Sequence, residues 1–415
     1  MTIGTGRSAE AGARIPRDRI PDATLALLAD GYRFIGRRCR RHGTDIFETR
    51  LMLRRVVCMM GVEAAQVFYA PDRFTRRGAV PVTTLMLLQD RGSVQTLDGT
   101  SHRRRKAMFM SLMTPETIGR LAALTVGAWQ ARLARWQGQG EVVLLDEAYA
   151  VLCRAVCAWA GITLSEDEAG RRTREFVAMI EGAGSVGPRN WRGMVLRMRS
   201  ERWARGLVRA ARSDPARFPD GSPLRVVAEH RDETGVPLGE TLAAVELINL
   251  LRPTVAVGLF VAFAALALHE HPESRRRIQD GGDAELEAFV QEVRRFYPFF
   301  PLVGGRVLVP FEWRGHAFAR GDWVILDLYG TLHDPRIWDG PEAFRPERFL
   351  DRKPGAIDLI PQGGGEHAGG HRCPGEWITI ALMKETTRLL ATAMRYDVPA
   401  QDLRLDMGRM PAIPR

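Results

Sequence analysis

The sequence predicts a single large domain that is mainly α with small β sheets. Three observations carry that expectation. Apolar residues recur every three or four positions over long stretches, strand-like runs are few and short, and no Ser/Gly linker or repeat divides the chain. With 415 residues, 45% of them apolar, the chain can bury a large core.

In chain order, residues 1–15 read as a flexible N-terminal arm rich in Gly, Ala and Arg, and residues 16–415 as the single domain. Strand-like segments come first, near residues 47–53 and 64–69. Helical periodicity follows over residues 116–136, 191–212, 238–268 and 283–296. Short strands return near 305–309, 316–319 and 322–326. Pro and Gly punctuate residues 298–375 heavily, and this excludes an alternating βαβ chain.

The net charge of +10 comes from Arg spread along the chain, with clusters at Arg37-Arg38, Arg40-Arg41 and Arg103-Arg104-Arg105-Lys106. A solvated basic surface explains it, and so does steering of anionic ligands. No interleaved aromatics or motif argue for nucleic acid. Five cysteines with scattered spacing do not form a disulfide framework, and Cys153 and Cys157, one helical turn apart, read as core residues. The N-terminus has no apolar signal region, and the longest apolar run, residues 255–268, is too short to span a bilayer. A reducing cytoplasm is the expected location.

Chemistry concentrates at residues 360–385, IPQGGGEHAGGHRCPGEWITIALMKE. The glycines allow tight turns and close approach of backbone to a flat ligand. Pro374 suits the first position of a helix, so Cys373 is expected at a helix N-terminus, where free N–H groups stabilise a thiolate. Such a thiolate on a glycine-walled platform suits thiolate-ligated haem. Other readings remain open on these residues alone: a buried structural thiol, a phosphate nest without the usual P-loop spacing, or zinc at His367, His371 and Cys373 without a fourth ligand.

Glu292 and Arg295 sit three apart on a predicted helix, a spacing common on any solvated face. Pro341–Phe349 (PEAFRPERF) and then the cysteine loop follow. In this order the three motifs resemble the cytochrome P450 superfamily. The resemblance implies that Glu292, Arg295 and Arg348 form its Glu-Arg-Arg triad, and that Cys373 is the axial ligand of a haem b (iron protoporphyrin IX). It implies the cytochrome P450 fold, with haem between a distal and a proximal helix.

The chain departs from ordinary members in two places. Glu366 stands where Phe is usual, seven residues before the cysteine. The distal helix reads NLLRPTVAVG over residues 249–258, with Arg252-Pro253 in place of the acid–alcohol pair that relays protons for oxygen activation. Pro253 inside a helix costs roughly 3 kcal/mol and frees a carbonyl. A kink with a surface Arg is one reading. The other follows from the apolar neighbours Leu250, Leu251, Val255 and Val257: a buried guanidinium wants an anion, and Arg suits a carboxylate.

That combination resembles the fatty-acid peroxygenase branch of the superfamily, as do residues 95–99 (QTLDG), His102 with Arg105-Lys106, residues 186–189 (VGPR) and residues 370–377 (GHRCPGEW). The resemblance implies hydrogen peroxide as oxidant, a long-chain fatty acid as substrate, hydroxylation at the α or β carbon, and no required reductase. It makes Arg252, Pro253 and Gln95 catalytic candidates, with the carboxylate held by Arg252 serving as general acid and base. His102, Arg76, Arg105, Lys106, Tyr297 and Arg372 become cofactor-binding candidates. Gln95, where decarboxylating relatives commonly carry His, favours hydroxylation, because a neutral amide cannot donate a proton as imidazolium can. Gln89 and Ala183 stand where Phe is expected in close relatives and imply a roomier or more polar substrate channel. A conventional reductase-dependent monooxygenase, a fatty-acid decarboxylase and a non-enzymatic haem sensor are the rivals.

Overall fold

The computed structural model describes residues 15–137 and 140–413. The arm expected over residues 1–15 lies outside the described residues except for Ile15, which packs against the sheet core.

Helices α1 (Thr24–Asp30) and α2 (Phe34–His42) precede a hairpin of β1 (Ile46–Leu51) and β2 (Arg54–Met60). Next come α3 (Val62–Phe68), β3 (Phe74–Thr75) and α4 (Val82–Leu88). The helical body runs through α5 (Gly99–Met110), α6 (Pro115–Trp136), α7 (Leu144–Trp159), α8 (Glu166–Gly182), α9 (Pro188–Ser213) and α10 (Pro223–Glu229). It continues through α11 (Glu240–Ala256), α12 (Gly258–Glu270) and α13 (Pro272–Phe296). The chain closes with β4 (Leu302–Val307), β5 (Phe311–Trp313), β6 (His316–Phe318), β7 (Trp323–Asp327), α14 (Leu328–Leu332) and α15 (Glu376–Arg388).

The long helices start where the sequence supplies caps. Thr114 with Thr117 and Ser165 with Glu168 form capping boxes that satisfy free N–H groups at the starts of α6 and α8. The run predicted over residues 238–268 is α11 and α12 in succession. In the turn loosened by Pro253, the Thr254 hydroxyl reaches back to the Leu250 carbonyl at 2.9 Å. By length and composition residues 240–270 could cross a membrane, but 83% of that window is buried, and it is the core helix. Gly258 lets α7 come close, because a Cβ there would fall 2.7 Å from the Tyr149 ring. The predicted run 283–296 is the second half of α13, set off from the first by Gly282 at φ +66°.

Strands β1, β2, β7, β4 and β3 form one sheet in that order. β2 and β7 pair in parallel, with Val57 opposite Val324, and the other pairs are antiparallel. β5 and β6 form a separate hairpin. The strand expected at residues 64–69 is instead α3. Its buried residues Ala64, Ala65 and Phe68 share one helical face, and two alanines favour helix over strand. Apolar character in so short a run does not separate the two periods.

A buried ion-pair network ties α13 to the segment before the cysteine loop. Arg295 Nε and Nη2 each lie 2.8 Å from Glu292, and Arg348 Nε lies 3.2 Å from the same carboxylate. Arg295 also donates to the carbonyls of Leu332 and Pro341. The triad that the motif order implied is thus assembled in space.

Asp327 ends β7 and caps α14, accepting the Gly330 N–H at 2.7 Å. Burial pushes its carboxyl up to about 7. A folded-state value raised above the unfolded one favours the protonated form. Its contribution is therefore full below about pH 4 and is lost as pH rises through about 7. Asp327→Asn keeps the accepting carbonyl without the charge. It is expected to match wild type near pH 4 and to be more stable by about 2–4 kcal/mol near pH 8, read by urea denaturation at both pH values.

Candidate active site

The cysteine loop is a compact backbone cradle. Gly363 and Gly365 adopt φ values of +88° and +85°, which side chains rarely tolerate. A Cβ on Gly364 would fall 2.8 Å from the Ala356 carbonyl and 3.0 Å from the Tyr69 ring. Cys373 donates its N–H to the Gln362 carbonyl at 3.3 Å, and His367 Nε2 lies 2.9 Å from the Cys373 carbonyl oxygen.

The expectation that a helix N-terminus depresses the Cys373 thiol is corrected. α15 begins only at Glu376, and the sulfur receives the backbone N–H of Gly375 and, at 4.0 Å, the side-chain amide of Gln362. Burial, followed by the neighbouring Glu376 carboxylate, pushes the thiol up. Glu376 is buried, which opposes its charge, yet Arg294 and Arg372 hold its carboxyl below the ordinary range. Arg372 Nε donates to it at 2.6 Å, and Arg294 Nη2 meets its other oxygen. Arg372, a cofactor candidate in the sequence, is therefore engaged by Glu376.

Four basic side chains gather on this loop: Arg76, His102, Lys106 and His371. The His102 and His371 rings lie 4.1 Å apart. Lys106 Nζ donates to the Gly370 carbonyl at 3.1 Å and to that of Arg372. Arg76 lies 4.2 Å over the Phe68 ring and donates to the Gly304 carbonyl. Burial lowers all four, Arg76 to about 10, Lys106 to about 8, His102 to about 4 and His371 to about 2, and mutual repulsion lowers the two histidines further. Asp98 attracts Arg76 and His102 but is hydrogen-bonded to Thr75, and Glu366 is held by the N–H groups of Ala368 and Gly369. Among the described residues none of the four forms an ion pair, and Arg76 and Lys106 carry the positive charge beside two neutral imidazoles. Such a cluster fits the propionates of a haem. No group of three or more His, Cys, Asp or Glu that could hold a metal ion occurs among the described residues, which removes the zinc reading.

Helix α5 links this cluster to the distal helix. Lys106 faces the cysteine loop, and Arg105 points to α11, where its Nη1 meets Glu246 at 2.6 Å. Arg105 thus belongs to a helix–helix ion pair and not to the cofactor cluster expected for it. Glu246 also accepts the Val94 N–H and the Asn249 amide. Three residues further along, Arg252 is buried, with Nη1 and Nη2 each 2.6 Å from the carbonyls of Leu87 and Leu88 at the end of α4. Burial, then the nearby Arg197, pulls Arg252 down to about 9, and no carboxylate contacts it among the described residues. Glu246, Asn249 and Arg252 recur every third residue in an apolar helix. That spacing was the available signal for the first two, which sequence reasoning missed along with Arg294, Gln362 and Tyr69.

Gln95 follows Val94 in a short 3-10 turn, and its Oε1 is buried without a partner. Gln89 caps α4, its carbonyl accepting from Asn249 at 3.3 Å, and Ala183 caps α8, its carbonyl accepting from Thr84 at 2.9 Å. Tyr297 is placed elsewhere than expected. It stacks on Phe263 and points its hydroxyl at Glu270, 3.4 Å away, within the aromatic core.

The cytochrome P450 family model matches residues 285–397. Three solved structures cover nearly the whole chain, each with a TM-score of 0.93. Cytochrome P450SP alpha (CYP152B1) in complex with (R)-ibuprophen is 48% identical, over 95% of this chain and 97% of that one. Cytochrome P450EX alpha (CYP152N1) with myristic acid is 44% identical, over 97% of both chains. A cytochrome P450 OleT variant in complex with arachidonic acid is 34% identical, over 97% of this chain and 96% of that one.

The Glu376 pairing yields a comparative prediction. Glu376→Ala leaves Arg294 buried and unpaired and is expected to cost about 3–5 kcal/mol in guanidinium denaturation. Arg372→Ala, which leaves Glu376 its second partner, is expected to cost about half of that or less.

Proposed function

We propose that this chain, which belongs to the cytochrome P450 family, hydroxylates long-chain fatty acids at the α or β carbon with hydrogen peroxide as oxidant and without a reductase. The observation that carries the reading is the buried Arg252, held in position with no carboxylate among the described residues to answer it. The similar solved structures that hold myristic and arachidonic acid support a fatty-acid substrate. The five free cysteines fit the cytoplasmic location proposed for it.

Haem b, held through the sulfur of Cys373, supplies the redox centre of the reaction. Arg76, His102, Lys106 and His371 are the groups suited to its propionates. Arg252 does the rest of the positioning. The Leu87 and Leu88 carbonyls take one N–H from each terminal nitrogen, and a guanidinium has five such donors, so a carboxylate can still be bound. The two carbonyls orient the group without neutralising it, so the substrate carboxylate stays ionised beside it in an apolar site. That carboxylate moves a proton from one oxygen of hydrogen peroxide to the other, and the second oxygen leaves as water. The remaining oxygen atom enters the substrate C–H bond. Anchoring at the carboxylate places the α and β carbons nearest the reaction centre. Gln95, a neutral amide, offers no acidic proton, which favours hydroxylation over decarboxylation. Pro253 loosens the helix beside Arg252, and Gln89 and Ala183 are assigned to the substrate channel.

Arg252→Ala removes both the anchor and the positioned base. It is expected to lower peroxide-driven turnover of a fatty acid by about 10²–10⁴-fold with haem content unchanged. Wild-type turnover should need peroxide alone. Turnover that appears only with oxygen and a redox partner would assign the chain to conventional monooxygenases.

A further inference from the structure

Helix α9 packs Met194, Trp203, Leu207 and Val208 against the core and leaves a second set of large apolar side chains on its outer face. Its buried positions include the small residues Gly193, Ser200, Ala204 and Ala211. A Cβ on Gly193 would fall 2.8 Å from the Ala178 carbonyl of α8, so the close packing of the two helices requires a small residue there. On the opposite side Trp191, Val195 and Met198 are 65%, 48% and 58% exposed, and they follow one another at helical spacings of four and three. Val186, just before the helix, is 79% exposed. Scattered exposed apolar residues are ordinary, whereas a contiguous stripe on one helix marks an interaction surface.

The rim of this stripe is basic. Arg192, Arg199 and Arg202 are exposed, and none appears in an ion pair. The helix carries eight arginines against one acid, Glu201, which Arg197 already holds at 2.6 Å. Two copies meeting on this face would bring six unpaired guanidiniums together, which disfavours self-association. Apolar side chains that include a Trp, bordered by arginines, match the boundary between anionic headgroups and acyl chains.

We propose that the outer face of α9 seats the protein peripherally on anionic bilayer surfaces. Trp191, Val195 and Met198 enter the headgroup–acyl boundary, and Arg192, Arg199 and Arg202 pair with lipid phosphates. The proposal stands apart from the reaction and does not depend on it.

The test is co-sedimentation of the holoenzyme with vesicles of phosphatidylcholine alone or mixed with phosphatidylglycerol. Binding is expected to the mixed vesicles, to weaken with salt, and to be far weaker on phosphatidylcholine. Replacing Arg192, Arg199 and Arg202 together by Gln should weaken it on the order of a hundredfold. Trp191→Ser, Val195→Ser and Met198→Ser together should also abolish it. Both variants should keep wild-type turnover of a dissolved fatty acid, which shows that they are folded. Equal binding to both vesicle types, or binding unchanged in either variant, would overturn the proposal. So would dimerisation of the wild type that the serine substitutions remove. If the protein binds vesicles but peroxide does not drive turnover, the proposed reaction fails and this surface stands.

Discussion

A guanidinium buried in an apolar helix is the constraint around which the distal side of this protein is organised. Full desolvation of such a charge is costly, and the chain meets it with two backbone carbonyls in place of an acid. Those carbonyls belong to the last turn of α4, where they are free because the helix ends. Arg252 therefore caps one helix while sitting in another. Asn249 strengthens the same junction through the Gln89 carbonyl, and Arg197 through that of Leu87. The charge is oriented and has no counter-ion among the described residues, and under the proposed function that makes it a receptor for a carboxylate.

The proximal side repeats the pattern with a different geometry. Arg76, His102, Lys106 and His371 are crowded into a buried space where burial disfavours charge on each and the neighbours further disfavour it on the two histidines. The protein's nearby acids are otherwise engaged: Glu376 holds Arg294 and Arg372, Glu366 holds its own loop, and Glu246 holds Arg105. Helix α5 lies between the two sides, with Lys106 on the loop and Arg105 on α11. Arg76 and Lys106 at the loop and Arg252 on α11 have no acid partner among the described residues, and under the proposed function they serve two anionic guests, the cofactor's propionates and the substrate's carboxylate.

Much of this was legible in the sequence. The glycine loop, the Glu-Arg spacing and the Arg-Pro pair are local patterns, and the structure shows a tight glycine cradle, an assembled ion-pair triad and a buried Arg252 at those places. Long-range pairings were not legible. Nothing near Arg105 points to Glu246, 141 residues away, and so a residue beside true neighbours of the loop was grouped with them. The pairing of Arg372 with Glu376, at i+4 in the sequence, appears only in the structure. Tyr297 was misplaced because an aromatic after a helix reads alike whether it faces a cofactor or, as here, Phe263. The segment 64–69 was read as strand because so short an apolar run fits either period. A helix N-terminus predicts a depressed Cys373 thiol, but burial and an adjacent carboxylate outweigh the one backbone N–H, that of Gly375, which reaches the sulfur.

The central claim is that the substrate's own carboxylate, held by Arg252, performs the proton transfer. The most direct measurement compares a long-chain fatty acid with its methyl ester, each supplied with hydrogen peroxide alone, by quantifying hydroxylated products. The account predicts α- or β-hydroxy product from the free acid and essentially none from the ester, which has the same chain but cannot pair with Arg252 or carry the proton. Comparable hydroxylation of the ester at the same carbons would contradict it.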